Sequence, residues 1–174
     1  MGLFDLFTGT KRPAKGTPVK ADADLRAALL ALNRPTAPWR VVDGRSESVD
    51  LIAEWKVDDA AFQQHFHKAG SERVFRVYLK LDPATHEVRA SDREYTMTWS
   101  QGGGGLTVSL SVAVSAFKGQ KQEVSFGGPP AFTEKLPSGE TIGYKFGANE
   151  LKKPVQDAVT AGGWTYKGVA FGKL

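Results

Sequence analysis

The fold of this chain is decided by one stretch, residues 74–99, which reads VFRVYLKLDPATHEVRASDREYTMTW. Apolar and polar residues alternate along both halves of the stretch, and the sequence Asp82-Pro83-Ala84-Thr85 separates the halves. Proline presets the backbone φ angle that the second position of a β-turn requires, so these four residues predict a tight turn. Alternation on both sides of a turn is typical of two antiparallel strands. The stretch therefore predicts a β-hairpin.

The return half of this hairpin changes phase partway along. Val88 and Ala90 share one parity, whereas Tyr95 and Met97 share the other. Because side chains in a strand alternate between two faces, the change predicts an extra residue or a bend, which we place at Asp92-Arg93. A bulge can re-aim side chains at a functional site, but long strands also need one to bend around a core. The pattern favours a bent strand.

Three segments have the features of helices. Residues 22–33 carry apolar side chains at i, i+3, i+4 and i+7, which form one apolar stripe. Residues 58–69 predict a second helix, which Asp58 would cap. A third helix is expected after residue 149, with its regular part beginning next to the proline at 154, because proline is unfavourable further inside a helix.

Alternating runs elsewhere predict further strands, most of them joined by hairpins. The order of elements is not a repeating β-α-β pattern, so the sheet should be mostly antiparallel. We expect one α+β domain over residues 22–174, with about three helices and seven to eight strands in a strongly curved sheet or a partly closed barrel. The other predicted strands are 39–43, 49–57, 106–116, a segment around 124–126, 141–146 and 164–171.

Residues 1–21 differ in composition from the rest and predict a flexible basic segment. The segment has four cations against Asp5, and the whole chain has a net charge of +4, so the body is close to neutral. A neutral body weakens the case for nucleic-acid binding that the pI of 9.3 would suggest. Four apolar residues at the start could contact a membrane surface or a partner weakly, or pack on the chain's own domain. They are Leu3, Phe4, Leu6 and Phe7.

The chain has no cysteine, which excludes disulfides, thiolate nucleophiles and cysteine-ligated metals. No apolar run is long enough to span a bilayer, and no secretory signal is visible. His65 and His67 lie two positions apart in a predicted helix, where their side chains point about 200° apart and cannot bind one metal. We therefore expect a cytoplasmic protein, at most peripheral to a membrane, that holds no metal and no cofactor.

A basic and aromatic stripe lies on one face of the first strand of the hairpin. Arg76, Tyr78 and Lys80 alternate there, as side chains do on sheets that bind nucleic acids, although an ordinary outer strand face has the same pattern. Tryptophans in or beside the strands could line an apolar pocket between sheet and helices. We take Trp55 and Trp99, together with the stripe, as the candidate surface for a ligand or a partner.

Acidic residues near the phase change form a second candidate site. Asp92 and Glu94 could act as a pair of catalytic carboxylates, which need opposed environments in a cleft. They also lie among Arg89 and Arg93, so surface ion pairs explain the same pattern.

Several short pieces of the chain resemble a small family of uncharacterised proteins from actinobacteria-like bacteria. The resemblance covers nearly the whole chain and implies a bacterial source and a soluble protein. It implies no activity and no catalytic residue. The pieces are GTKRP, NRPTAPW, FRVYLKLD, EVSFG and GWTYKGVAFGKL.

The sequence favours a non-enzymatic domain that binds a partner protein or an apolar or amphipathic ligand through its sheet. Two alternatives stay open. One is a small hydrolase that uses Asp92 or Glu94 near the bent hairpin. The other is a nucleic-acid-binding domain that uses the stripe of Arg76, Tyr78 and Lys80.

Overall fold

The computed structural model describes residues 9–113, 129–170 and 174. These residues form a six-stranded sheet, a separate two-stranded sheet and three α-helices, so the predicted α+β class is confirmed. The helices are α1 (Asp22–Leu30), α2 (Gln63–Lys68) and α3 (Ala148–Ala161). The strands are β1 (Trp39–Asp43), β2 (Leu51–Trp55), β3 (Arg73–Asp82), β4 (Glu87–Gly102), β5 (Gly105–Val112), β6 (Phe132–Lys135), β7 (Thr141–Tyr144) and β8 (Thr165–Gly168).

The large sheet follows the order β1-β2-β3-β4-β5, with each strand antiparallel to its neighbour, and β8 pairs with β4 in parallel. Mostly antiparallel pairing is thus confirmed, and β8 is the exception. This strand enters the sheet after helix α3, and a parallel pairing needs such a long connection instead of a tight turn. The described strands close no barrel, so the partly closed barrel is not confirmed. Strong curvature of the sheet stays a prediction.

The hairpin of β3 and β4 is confirmed, but the bulge at Asp92-Arg93 is wrong. The register runs without a break from Arg73 opposite Thr96 to Asp82 opposite Glu87. The phase change has another cause, because β4 buries one face near its start and the opposite face further along. Its buried apolar residues are Val88 and Ala90 on the first face, and Tyr95 and Met97 on the second.

The main core lies between the sheet and the helices α1 and α3. Helix α3 packs against α1, β2 and β8. Full burial of a Leu or Val side chain stabilises a fold by about 1.5–3 kcal/mol, so the apolar stripes of the two helices hold them on the sheet. The fully buried residues of these stripes are Leu25 and Leu29 in α1, and Leu151, Val155 and Val159 in α3.

Asn33 closes the outer edge of β1. Its side-chain oxygen accepts the N–H of Val41 at 2.6 Å, and its side-chain nitrogen donates to the Val41 carbonyl at 2.8 Å. Helix α1 therefore ends at Leu30, short of the predicted end at Asn33, because Asn33 is used at the sheet edge. An edge strand presents unpaired backbone groups, and this amide satisfies one pair of them.

Helix α2 is shorter than predicted, and Asp58 does not cap it. The helix begins at Gln63, and Asp58 instead contacts Arg40 at 3.2 Å. Residues 60–62 form a turn, and the Asp59 carboxylate before it accepts the N–H of Ala61 at 2.9 Å. Asp58 thus pairs with Arg40 of β1, and the predicted cap of α2 is wrong.

Helix α3 is regular from Ala148, so its predicted start next to Pro154 is wrong. The carboxylate of Glu150 accepts the N–H groups of Lys145 and Gly147 at 2.8–3.0 Å. These bonds fix the chain as it enters the helix, in the manner of a capping box. The helix therefore forms ahead of the proline and accommodates it.

Part of the predicted flexible segment contacts the C-terminal end of the domain. Lys11 and Tyr166 exchange two backbone hydrogen bonds of 2.8 Å. Lys20 donates its N–H to the Gly162 carbonyl at 2.9 Å, and its own carbonyl accepts the indole N–H of Trp164 at 2.8 Å. These bonds attach the segment at Lys11 and at Lys20 to residues 162–166.

Strand β5 alternates as predicted, but its apolar residues are only partly covered by the rest of the protein. Leu106, Val108 and Leu110 are half-buried, and Val112 is 52% exposed. None of the helices in the described part of the chain is long and apolar enough to cross a membrane. Four earlier predictions lie wholly or partly outside the described residues. They are the apolar residues Leu3, Phe4, Leu6 and Phe7, positions 114–116 of the strand predicted at 106–116, the strand around 124–126, and the end of the last strand at 171.

Candidate functional site

The predicted stripe on β3 is largely used inside the protein. Tyr78 is buried, and its hydroxyl donates to Glu47 at 2.9 Å and contacts the hydroxyl of Tyr95. Burial raises the pKa of Tyr78. Arg76 lies 3.0 Å from Glu54, and its guanidinium lies 4.9 Å from the centre of the Tyr95 ring. Of the three stripe residues, only Lys80 is exposed.

The two candidate tryptophans do not share a pocket wall. Trp55 is buried, with Phe66, Tyr144 and Phe146 edge-on to its ring. Trp99 is half-buried, and its ring lies 5.5 Å from that of His67. Trp55 therefore belongs to the core, as most inward-facing tryptophans do.

Asp92 and Glu94 are both buried, and each has a cationic partner. The Asp92 carboxylate lies 2.5 Å from the ammonium of Lys152, and the Glu94 carboxylate lies 3.2 Å from Arg73. Tyr166 is fully buried, which raises the pKa of its phenol well above the usual value, and the nearby charge of Asp92 adds to this effect. Each carboxylate thus forms an ion pair with a residue of another element, which favours a structural role for both.

His65 and His67 pack against different aromatic rings. His65 contacts the ring of Phe132, and His67 contacts the ring of Trp99. Over residues 9–113 and 129–170, the structure has no group of three or more histidines and carboxylates that could hold a metal ion.

The structure has a cleft that neither Trp55 nor Trp99 lines. It has a volume of about 440 Å³ and lies between the start of β1, strand β7 and the first turns of α3. Its walls are mainly apolar, and charged side chains stand among the apolar ones. The lining residues are Arg34, Trp39, Ile142, Gly143, Tyr144, Asn149, Glu150, Lys153, Pro154 and Asp157.

One wall of the cleft is held by a charged cluster around Glu134, whose side chain is 0% exposed. Arg34 donates to this carboxylate through Nε at 2.8 Å and through Nη2 at 3.0 Å. Thr36 donates to it at 2.8 Å and Tyr144 at 2.7 Å. Both oxygens of Glu134 therefore have two donors, and the carboxylate is satisfied without water. We call these four residues the Glu134 cluster.

The electrostatics of the Glu134 cluster follow from these bonds. The hydrogen bond from Arg34 is the main cause that lowers the pKa of Glu134 from 4.5 to about 2. Burial, helped by the bond to Glu134, raises the pKa of Tyr144 from 10 to about 12. At neutral pH the carboxylate is thus ionised and the phenol is neutral.

Arg34 connects the Glu134 cluster to the cleft. Its side chain is 34% exposed, and its guanidinium carbon lies 5.7 Å from the centre of the Trp39 ring. The ammonium of Lys56 donates to the Arg34 carbonyl at 3.1 Å, which fixes the backbone at this point. Nε and Nη2 are engaged by the cluster, whereas Nη1 has no acceptor among the described residues.

One feature of the sequence could have indicated part of this site. Strand β7 lies within the predicted strand at 141–146, and its pairing with β6 places Glu134 opposite Ile142 and Phe132 opposite Tyr144. Side chains of such pairs lie on one face of the sheet. A predicted hairpin here would therefore have placed Glu134 beside Ile142 and Tyr144, which line the cleft. Arg34 gave no such signal, since it lies a hundred residues from Glu134 in the chain.

Comparisons with protein-family models, with curated proteins and with solved structures find no match for this chain. The function of the cleft is therefore inferred from its lining residues alone.

Proposed function

We propose that this chain is a non-enzymatic domain that binds a small amphipathic ligand in the cleft between β1, β7 and α3. The observation that carries the proposal is the cleft itself, with a mainly apolar wall and a charged cluster already assembled at its side. A volume of about 440 Å³ falls within the usual range of ligand pockets, which combine apolar walls with a few fixed polar groups.

The charged groups of the cleft suit binding better than catalysis. A general base works best when its pKa lies near the working pH, and Glu134 has a pKa of about 2 with both oxygens occupied. Glu150 is similarly occupied by the backbone N–H groups of Lys145 and Gly147. These carboxylates therefore hold the walls of the cleft in place.

The alternative functions have less support. A hydrolase based on Asp92 and Glu94 would use carboxylates that already hold Lys152 and Arg73. Nucleic-acid binding through β3 would use Arg76, which pairs with Glu54, and Tyr78, which is buried. A protein partner would dock on exposed surface, and the sheet offers the half-buried apolar side of β5 for it.

A fragment screen monitored by NMR on the isotope-labelled chain tests the proposal. We expect fragments with one apolar ring and one polar group to shift the backbone signals of Ile142, Gly143 and Lys153. Ile142→Trp adds a ring to the cleft wall and should abolish these shifts. Leu110→Trp adds the same ring on β5 and should leave them unchanged. Hits that perturb other surfaces, or that still bind Ile142→Trp in the cleft, would overturn the proposal.

A further inference from the structure

Residues 11–20, which we call the docked segment, are attached to the domain at both ends by the hydrogen bonds of Lys11 and Lys20. Between these bonds the chain passes close to Gly163, where a Cβ atom would clash with the carbonyl oxygen of Pro18. Gly163 also has a φ of 76°, so both the space and the backbone conformation favour glycine there. The docked segment therefore has a defined place on the surface, although its composition is that of a linker.

The docked segment carries positive charge that the rest of the described chain compensates only in part. Four of its residues are exposed cations: Lys11, Arg12, Lys15 and Lys20. No acidic residue lies between positions 9 and 21. Lys11 and Lys15 form no ion pair with any residue in the described part of the chain. Asp22 and Asp24 follow in the first turn of α1 and offset the charge next to Lys20, so the positive charge is concentrated at the start of the segment.

An apolar side chain is exposed on the same segment. Val19 is 50% exposed, which is unusual for a large apolar residue in the described part of this chain. The sequence ahead of the segment adds four more apolar residues, Leu3, Phe4, Leu6 and Phe7. Cations together with exposed apolar groups suit an anionic bilayer, where the cations meet charged headgroups and the apolar groups enter the interface.

A nucleic acid would match this composition less well. Single-stranded nucleic acids are bound by cations together with aromatic side chains on which the bases stack. The docked segment reads KRPAKGTPVK and contains no aromatic residue, and its exposed apolar side chain is aliphatic. The cations alone would serve either partner, so Val19 favours the lipid surface.

We propose that the docked segment binds the protein to an anionic lipid surface. Lys11, Arg12 and Lys15 contact the headgroups, and Val19 enters the interface beside them. Attachment of the segment to the domain fixes the positions of these residues before binding, which lowers the entropy cost of the contact.

This lipid contact is separate from the ligand cleft. The docked segment is attached at Gly162, directly after the last residue of α3, whereas the cleft lies at the first turns of that helix. A helix of 14 residues is about 21 Å long. The proposal therefore goes beyond ligand binding and does not depend on it.

Co-sedimentation of the full chain with vesicles tests the proposal. One set of vesicles is phosphatidylcholine alone, and the other has one phosphatidylserine for about three phosphatidylcholine molecules. Each cation near an anionic surface strengthens binding about fivefold, and Asp22 and Asp24 offset two of the four cations. We therefore expect a preference of about 25-fold for the phosphatidylserine vesicles, which should weaken as salt is added.

Paired lysine variants identify the surface responsible. Lys11→Gln combined with Lys15→Gln keeps the backbone bonds of Lys11 but should reduce the preference for phosphatidylserine to near unity. Lys80→Gln combined with Lys135→Gln is the matched control, because it removes two exposed lysines from β3 and β6, outside the docked segment. The control should keep most of the preference.

Val19→Gln tests the apolar contribution. It should weaken binding to both kinds of vesicle about fivefold, since it removes apolar area and leaves the charge unchanged. Val19 is exposed, so thermal denaturation should show no loss of stability.

Equal binding of the unaltered chain to the two kinds of vesicle would overturn the proposal. Equal losses in the two double-lysine variants would do the same, because the contact would then depend only on net charge. Tighter binding of a single-stranded oligonucleotide than of phosphatidylserine vesicles, at the same salt concentration, would assign the segment to nucleic acid instead. The fragment screen of the cleft is independent of all these results.

Discussion

Lys152 and Asp92 form an ion pair inside the protein, with 2.5 Å between the ammonium nitrogen and Oδ2. Their side chains are 5% and 1% exposed. Lys152 belongs to α3 and Asp92 to the middle of β4, so the pair fixes how the helix crosses the sheet.

Loss of one partner of this pair should be costly. Lys152→Met leaves a buried carboxylate without its cation, and such changes lower the free energy of unfolding by about 3–5 kcal/mol. Lys152→Met combined with Asp92→Leu removes both charges and should recover most of that loss. Urea denaturation measures both effects. A single variant as stable as the double one would contradict the buried pair.

Glu134→Gln should remove part of the dependence of stability on pH. The folded pKa of Glu134 is about 2 against an ordinary 4.5, so its ionised form adds stability that is present above about pH 4.5 and lost as the pH falls through 2. The difference corresponds to on the order of 3 kcal/mol. We expect Glu134→Gln to be destabilised by about this amount at pH 7 and to match the unaltered chain near pH 2.

The control for this prediction is Glu140→Gln, which changes an exposed glutamate in the turn that follows β6. It should follow the unaltered chain over the whole pH range. Parallel curves for Glu134→Gln and the unaltered chain would show that the carboxylate does not hold the cleft wall.

Asn33→Ala should weaken the outer edge of the sheet. The change removes two hydrogen bonds to Val41, each of which contributes about 0.5–1.5 kcal/mol. Asn33→Asp retains the acceptor for the Val41 N–H but places a second carboxylate oxygen opposite the Val41 carbonyl, so it should be destabilised as well. Thermal denaturation gives the stabilities, and hydrogen exchange of the Val41 amide should accelerate most in Asn33→Ala, which has no acceptor for it. Unchanged exchange in Asn33→Ala would argue against the edge contact.

The tyrosines should ionise late in an alkaline titration. Burial raises the pKa of Tyr78 and of Tyr166, and the pKa of Tyr144 rises to about 12. Because the folded pKa exceeds the unfolded value of about 10, this stabilisation is present below pH 10 and is lost as the pH rises through the folded value. The absorbance of phenolate at pH 11 should therefore stay well below that of the unfolded chain. Equal absorbance of the folded and unfolded chains would contradict the burial of these phenols.

Local patterns predicted most of the elements, because they depend only on neighbouring residues. The hairpin at 74–99 and strand β1 at Trp39–Asp43 follow directly from alternation and turn chemistry. The bulge at Asp92-Arg93 was wrong for a physical reason. A change of apolar parity tells which residues are covered, but not whether the strand bends or a second face becomes buried.

Local sequence patterns could not predict which residues line the cleft. Arg34 lies in the loop that follows α1, and its partner Glu134 lies in a four-residue strand far along the chain. Only tertiary packing brings the loop, the hairpin and the start of α3 together. The contacts of the stripe on β3 were equally hidden from strand patterns, because Arg76 pairs with Glu47 and Glu54, which lie outside β3.

Strand β4 supplies buried side chains to both faces of the sheet, Ala90 and Asp92 to one face and Tyr95 and Met97 to the other. Neither packing region can unfold while the other region still holds β4 in place. The two sides of the sheet should consequently melt as one cooperative unit, with β4 as the element that couples them.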